Sequence, residues 1–97
     1  MKDLLEHIDE VIHQKTRLGI LSMLAAQEDI EFSELKNRLG LTDGNLSSHI
    51  ALLEKNGLVS VKKSFVRKKP KTNILISAAG RTALQNYLEL LRKIIES

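Results

Sequence analysis

The chain has 97 residues, a length that suits one domain, and 42% of them are apolar, as in ordinary globular proteins. There is no cysteine, which excludes disulfides, thiol catalysis and thiolate metal sites. No apolar run approaches the ~20 residues of a membrane span, and the N-terminal stretch MKDLLEHIDEVIH carries acids unlike a signal peptide. We therefore expect a cytoplasmic protein with no membrane segment.

Charge is distributed unevenly along the chain. The formal net charge is +3, yet residues 58–77 contain six basic residues and no acid, so the remaining residues sum to −3. The six are Lys62, Lys63, Arg67, Lys68, Lys69 and Lys71. A local excess of this kind favours a polyanionic partner.

The first two predicted elements are helices. Residues 3–13 have Asp3 as a candidate cap, Glu6 three residues later and an apolar stripe, which predict an N-terminal helix. After a break at residues 13–16, Thr16 is predicted to cap a second helix over residues 16–27.

A helix-turn-helix is predicted over residues 33–57. After a short extended piece at residues 30–32, Ser33 is predicted to cap a brief helix that stops at Gly40. Thr42 is predicted to cap the next helix and Gly57 to end it. Because one residue separates Gly40 from Thr42, the two helices meet through a tight turn.

A basic β-hairpin and a long helix complete the predicted order. In residues 58–66 and 72–77 the apolar residues recur with a period of about two, which predicts two strands joined by the loop RKKPK. Pro70 is expected in the loop or at a sheet edge, because it cannot donate a hydrogen bond to the ladder. A last helix is predicted over residues 78–96. The sequence as a whole predicts one mainly α domain over residues 1–97 with a small β-hairpin (α+β).

The terminal helices carry more apolar surface than one packed face requires. The last helix has two adjoining apolar stripes, and the N-terminal helix adds a third. Exposed patches of this size are rare on monomers, so we expect a homodimer; the alternative is that the first helix covers the last within one monomer. The predicted interface is Leu4, Leu5, Ile8, Ile12, Leu84, Tyr87, Leu88, Leu91, Ile94 and Ile95.

The helix after Thr42 has one face of small polar residues. Leu46, Ile50 and Leu53 recur at helical spacing and are expected in the core. The other face could pack closely against another helix, but hydroxyl and amide groups favour satisfied hydrogen bonds over dry packing. We interpret it as a face that reads base edges in the major groove, through Thr42, Gly44, Asn45, Ser47 and Ser48.

The basic hairpin has two interpretations, a solvated tip or a phosphate-binding arm. Its place directly after a helix-turn-helix favours phosphate contacts along duplex DNA. His49 is interpreted as a structural histidine rather than a base reader, Arg81 as an ion-pair partner, and Arg17 could pair with an acid or touch a phosphate. No arrangement of residues indicates a catalytic site, a metal site or a cofactor.

Three stretches resemble the small winged-helix transcriptional regulators of the MarR and ArsR types. They are TRLGILSMLA, FSELKNRLGLTDGNLSSHIALLEKNGLVSVKKSF and KPKTNILISAAGRTAL, and the resemblance spans nearly the whole chain. It implies that residues 42–51 belong to the recognition helix, that residues 62–71 form the wing, and that the protein is a homodimer. The chain departs from the pattern in one respect, because no glycine lies between Gly57 and Gly80 to turn the wing.

The expected function is therefore that of a non-enzymatic homodimeric regulator that binds a near-palindromic duplex DNA site. Two alternatives keep the fold. A winged helix that binds protein would not need the basic wing, and one that binds RNA would favour exposed aromatic residues.

Overall fold

A computed structural model describes all residues, 1–97, as a mainly helical fold with a small antiparallel sheet. The elements in chain order are α1 (Lys2–Glu6), α2 (Lys15–Gln27), β1 (Asp29–Glu31), α3 (Phe32–Leu39), α4 (Asp43–Lys55), β2 (Val59–Val66), β3 (Lys69–Ile76) and α5 (Ala78–Glu96). This is the predicted α+β winged-helix arrangement.

The core is aliphatic, as expected from the composition. Fourteen apolar residues are buried, and Tyr87 is the one aromatic among them. They come from every element except α1: α2 supplies Ile20, Leu21 and Leu24, and α4 supplies Leu46, Ile50 and Leu53. Burial of such side chains contributes roughly 1.5–3 kcal/mol each, so these anchors fix how α4 lies on the domain.

The turn between α3 and α4 is set by local residues. Gly40 has the left-handed conformation, with φ of 64°, that ends α3. The Thr42 hydroxyl accepts a hydrogen bond of 3.1 Å from the Asn45 N–H, so the predicted cap of α4 is confirmed. The predicted cap of α3 is wrong: α3 begins at Phe32, and Glu31 precedes it without a side-chain bond because the chain enters the helix directly from β1.

The sheet has three strands in the order β1–β3–β2, with β3 pairing antiparallel to both neighbours. The predicted second strand, 72–77, began too late, since β3 starts at Lys69. The five-residue loop is also wrong, because the strands join through Arg67 and Lys68 alone, with φ of 53° and 66°. Positive φ at both positions is the two-residue type I′ turn, whose twist matches that of paired strands.

Pro70 shows why β3 can start so early. It faces Phe65 in the β2–β3 ladder, one step from the Val66–Lys69 pair that flanks the turn. Pairs in an antiparallel ladder alternate between hydrogen-bonded and non-bonded, so the missing N–H of Pro70 falls on the outer side. β1 pairs only with residues 73–75, which leaves that outer side unpaired.

The predicted N-terminal helix over residues 3–13 is wrong beyond Glu6. The Asp9 carboxylate accepts hydrogen bonds from the N–H groups of Val11 (2.9 Å) and Ile12 (3.3 Å), which holds residues 9–12 in a turn. The next helix begins earlier than predicted, at Lys15. Its cap is the Gln14 side chain, which accepts from the Arg17 N–H, and not Thr16.

The start of α5 is fixed against the backbone that follows α4. Ser77 caps α5 by accepting from the Gly80 N–H at 2.9 Å, and its hydroxyl donates to the Gly57 carbonyl at 2.6 Å. A Cβ on Gly80 would lie 2.1 Å from the Leu58 carbonyl oxygen, so this position requires glycine. No helix combines the length and the apolar character needed to cross a membrane.

Candidate nucleic-acid interface

The outer face of α4 is exposed and carries no large side chain. Thr42, Gly44, Asn45, Ser47 and Ser48 are all exposed, as predicted for a surface that meets a partner. Gly44 and Ser48 lie one helical turn apart and face away from Leu46, while Asn45 and Ser47 lie toward opposite edges. A Cβ added to Gly44 would meet no atom within 4 Å, so the glycine leaves room for something outside the domain.

One acid lies at the start of this face and is paired. Asp43, in the first turn of α4, forms a salt bridge of 3.1 Å with Lys36 of α3. The carboxylate favours the helix N-terminus, and Lys36 offsets its charge where an anion would approach. Lys36 is not among the predicted site residues, although it lies only seven residues before Asp43, across a tight turn that allows the contact.

Arg17 and His49 connect the N-terminal segment to α4. The Arg17 guanidinium lies 3.2 Å from His49 Nδ1, and its Nε donates to the Val11 carbonyl at 2.5 Å. Desolvation and the Arg17 charge lower the pKa of His49, which favours the neutral ring that can accept from Arg17. His49 is thus structural, as interpreted, and Arg17 is neither paired with an acid nor free at the surface.

Arg81 forms an ion pair, as its sequence position indicated. Its guanidinium donates to the Ala25 carbonyl at 3.0 Å and pairs with Glu28 at 3.2 Å. It therefore ties α5 to the end of α2.

The two faces of the wing, residues 58–77, differ in chemistry. Side chains alternate between the two faces along paired strands. The pairing register therefore assigns each residue of the wing to one face. The face toward α4 carries Val59, Val61, Lys63, Phe65, Pro70, Thr72, Ile74 and Ile76. The outer face carries Ser60, Lys62, Ser64, Val66, Lys69, Lys71, Asn73 and Leu75.

The basic residues of the wing are unpaired. Lys62, Lys69 and Lys71 lie on the outer face, Lys63 on the face toward α4, and Arg67 and Lys68 at the tip. None of the six takes part in a salt bridge within the chain. Six uncompensated charges on one hairpin create a strongly positive arm.

A groove joins α4 to the wing. Ser47, Ala51 and Glu54 line one side of it, Lys63 and Thr72 line the other, and the floor is apolar. The groove measures about 330 Å³. The structure thus places Ser47 of the polar face of α4 and Lys63 of the wing in the same groove.

Three of the residues predicted at a dimer interface belong to the monomer core instead. Ile12 is fully buried, and Leu84 and Tyr87 are 6% and 4% exposed. The Tyr87 hydroxyl also lies 2.7 Å from His13 Nδ1. Both α2 and the N-terminal segment contact α5, so these side chains are covered within one monomer.

The other predicted interface residues remain accessible. Leu5, Leu88 and Ile95 are 50%, 52% and 81% exposed, and Leu4, Ile8, Leu91 and Ile94 are partly covered. No residue of α5 after Tyr87 is buried, although five of the last nine in the helix are apolar.

One exposed side chain of the wing was missed as a candidate. Phe65 is 77% exposed at the tip end of β2. Its position in an alternating strand indicated burial, but the core ends at Val61 and Ile74 and does not reach it.

Comparison with known proteins identifies the fold family. A sequence model of the winged helix DNA-binding domain matches residues 16–95. An uncharacterized protein of Methanocaldococcus jannaschii is 42% identical over 79 residues, which span 81% of this chain and 86% of that protein. The resemblance to winged-helix regulators is therefore confirmed at the level of sequence.

Two solved structures share the fold. The structure of a transcriptional regulator homologue from Pyrococcus horikoshii has a TM-score of 0.86 at 33% identity and covers 98% of this chain and 92% of that one. The regulator MosR of Mycobacterium tuberculosis, solved in complex with DNA, has a TM-score of 0.69 at 25% identity and covers 87% of this chain and 59% of that one.

The family model describes a DNA-binding domain, and the two solved structures are of a transcriptional regulator and of a homologue of one, in agreement with the expected non-enzymatic function. With four fifths of its length matched by the family model, the chain belongs to the winged helix DNA-binding domain family.

Proposed function

We propose that this protein is a homodimeric transcriptional regulator that binds specific sites in duplex DNA, with α4 in the major groove and the wing on phosphates or in the minor groove. One observation carries the proposal: Ser47 of the polar face of α4 and Lys63 of the wing line one groove, and the wing carries five further cations that form no salt bridge. A protein-binding winged helix has no need of such charge.

The two parts of this surface have different tasks in the proposal. The amide of Asn45 and the hydroxyls of Ser47 and Ser48 can bond base edges, which differ between base pairs in the major groove. The cations of the wing contact phosphates, which fix position but carry no sequence information. Thr42 and Gly44, at the N-terminus of α4, lie where a phosphate is favoured.

The remaining exposed apolar residues support a dimer. The second half of α5 carries the exposed Leu88 and Ile95 and the partly covered Leu91 and Ile94, and α1, which contacts α5, adds the exposed Leu5. The molecule is elongated, 54 Å long and 21–25 Å across, and the second half of α5 contains no buried residue. A twofold dimer formed through it would present two α4 helices to successive major grooves.

Selection of bound sequences from random duplex DNA tests the proposal. We expect a motif with two inverted half-sites whose centres lie roughly 10 base pairs apart or a multiple of that. The proposed partner also implies a cytoplasmic protein. A protein that enriches no sequence, or that prefers single-stranded RNA, would contradict the proposal.

Sedimentation equilibrium tests the assembly separately. We expect a wild-type dimer at micromolar concentration and a monomeric Leu91→Glu variant, because a charge would replace an apolar contact. Gln85→Glu is the matched control, since it places the same side chain on an exposed polar position of α5. A monomeric wild type, or a Leu91→Glu variant that remains dimeric, would refute the interface.

A further inference from the structure

The tip of the wing presents an apolar pair that the fold does not use. Phe65 is 77% exposed, and its partner across the ladder, Pro70, is exposed as well. Both lie beyond the last core residues of their strands. An isolated exposed phenylalanine is not unusual, so its neighbours decide what it can meet.

Those neighbours are cations, and the pair faces the α4 side of the wing. Counting along β2, Val59 is buried, Val61 packs on the core, Lys63 lines the groove beside Ser47, and Phe65 follows on the same face. Arg67 and Lys68 form the turn directly beyond it. An apolar side chain ringed by positive charge complements a polyanion with apolar base faces, and duplex DNA has both features.

We infer that Phe65, supported by Pro70, is an apolar wedge that enters the DNA minor groove and partly unstacks one base step. Inserted phenylalanine, leucine or proline side chains kink a duplex by about 20–90°. The inference rests on the proposed function, because it requires that the wing lies on duplex DNA. It adds a specificity contact that depends on deformation of the DNA and not on hydrogen bonds.

The turn holds the wedge in place. A two-residue connection leaves little freedom at the tip, and the Phe65–Pro70 pair lies one step from it. The proline ring fixes the backbone φ at Pro70, and the nitrogen that lacks a hydrogen points away from β2. The pair therefore lies within the paired strands and not in a loop.

A wedge of this kind makes a sequence prediction. Pyrimidine–purine steps unstack more readily than other steps, so sites selected by the wild type should contain one at a fixed distance from the bases read by α4. Sites selected by Phe65→Ala should lose that step and keep the remaining motif.

The test measures bending and affinity on the selected duplex. End-to-end energy transfer reports the bend, and 2-aminopurine placed at the flexible step reports unstacking. We expect the wild type to bend the duplex by about 20° or more and to raise the 2-aminopurine fluorescence. Phe65→Ala should lose both signals and bind about tenfold more weakly, in line with the usual effect of removing a base–aromatic contact.

Two controls separate the wedge from other contributions. Val66→Ala truncates the adjacent apolar residue, which is 50% exposed on the outer face, and should retain the bend. Phe65→Leu keeps an apolar side chain at the same position and should retain most of the DNA bend. The salt dependence of Phe65→Ala should equal that of the wild type, because no charge is removed.

The outcomes distinguish this inference from the proposed function. If the wild type binds the selected duplex but leaves it straight, or if Phe65→Ala bends it equally, the wedge is refuted and the regulator stands. Equal losses for Val66→Ala and Phe65→Ala would also refute it. If the wild type binds no duplex, both fail.

Discussion

Helix α4 and the wing adjoin each other but are built in opposite ways. Helix α4 is anchored by three nearly fully buried residues and presents small neutral groups outward. The wing has its buried residues only near its base, and it carries six unpaired cations toward its tip. Helix α4 thus has a fixed position and little charge, whereas the wing has much charge and few contacts that fix its position.

This difference indicates how a small domain can divide recognition. Reading bases needs side chains held in place, because a misplaced hydrogen bond discriminates little. Attraction to phosphates needs only charge nearby, since counterion release depends on the number of neutralised phosphates. The comparison therefore predicts that changes in α4 alter selectivity and that changes in the wing alter affinity.

The largest expected effect comes from a residue that supports both regions. Gly80→Ala would force a Cβ to 2.1 Å from the Leu58 carbonyl oxygen, where α4, β2 and α5 meet. Because a backbone atom cannot give way cheaply, we expect a loss of about 3 kcal/mol or more in the free energy of unfolding. Urea unfolding measures this loss. An unchanged midpoint would show that the backbone shifts without cost to accommodate the added Cβ.

The next effect concerns selectivity. Asn45→Ala or Ser47→Ala should reduce discrimination between the selected duplex and a scrambled one by roughly 1–3 kcal/mol, the size of a base contact. Both residues are exposed, so folding should persist. Competition binding with the two duplexes measures this, and full discrimination in both variants would move base reading away from this face.

Charge removal at the wing should have a different signature. Lys68→Ala combined with Lys69→Ala should weaken binding to every duplex about equally and lower the slope of log K against log salt by ~1–2 units, near 0.9 for each lost phosphate contact. A charge-matched control is Lys15→Ala with Lys93→Ala, two exposed lysines in α2 and α5. Equal slopes for the two double variants would place the wing away from DNA.

The smallest effect separates folding from binding. Gly44→Ala should stabilise the domain by about 0.5–1 kcal/mol, because alanine favours helix and the added Cβ meets no atom within 4 Å. The same methyl group should weaken DNA binding several-fold if the backbone lies against DNA. Thermal unfolding measures the stability and a binding titration measures the affinity for DNA. A stabilised variant with wild-type affinity would contradict a close approach of the α4 backbone to DNA.

The same two regions show what sequence can predict. Gly40, Thr42 and Gly57 act locally, and the positions of α4 and its turn followed from them. The extent of the wing did not follow, because Arg67 and Lys68 adopt a conformation that glycine or asparagine usually marks. The register that splits the wing into two faces depends on that turn, so the position of Phe65 was hidden as well.

The N-terminal segment shows a different reason for failure. Its apolar spacing fits a helix, but the Asp9 carboxylate accepts from the backbone N–H groups two and three residues ahead. Arg17 Nε then donates to the Val11 carbonyl in the resulting turn. Hydrogen bonds from a side chain to the nearby backbone leave no mark in the apolar spacing. Ile12, Leu84 and Tyr87, which were predicted at the interface, lie in the core of the monomer instead.

A salt titration of the wild type on two duplexes tests the division of tasks most directly. The selected and the scrambled duplex should give parallel lines of log K against log salt, since the wing contacts the same phosphates on both. The distance between the lines should stay constant, because α4 discriminates through uncharged groups. Lines that converge as salt rises would contradict this account, since discrimination would then depend on the charges.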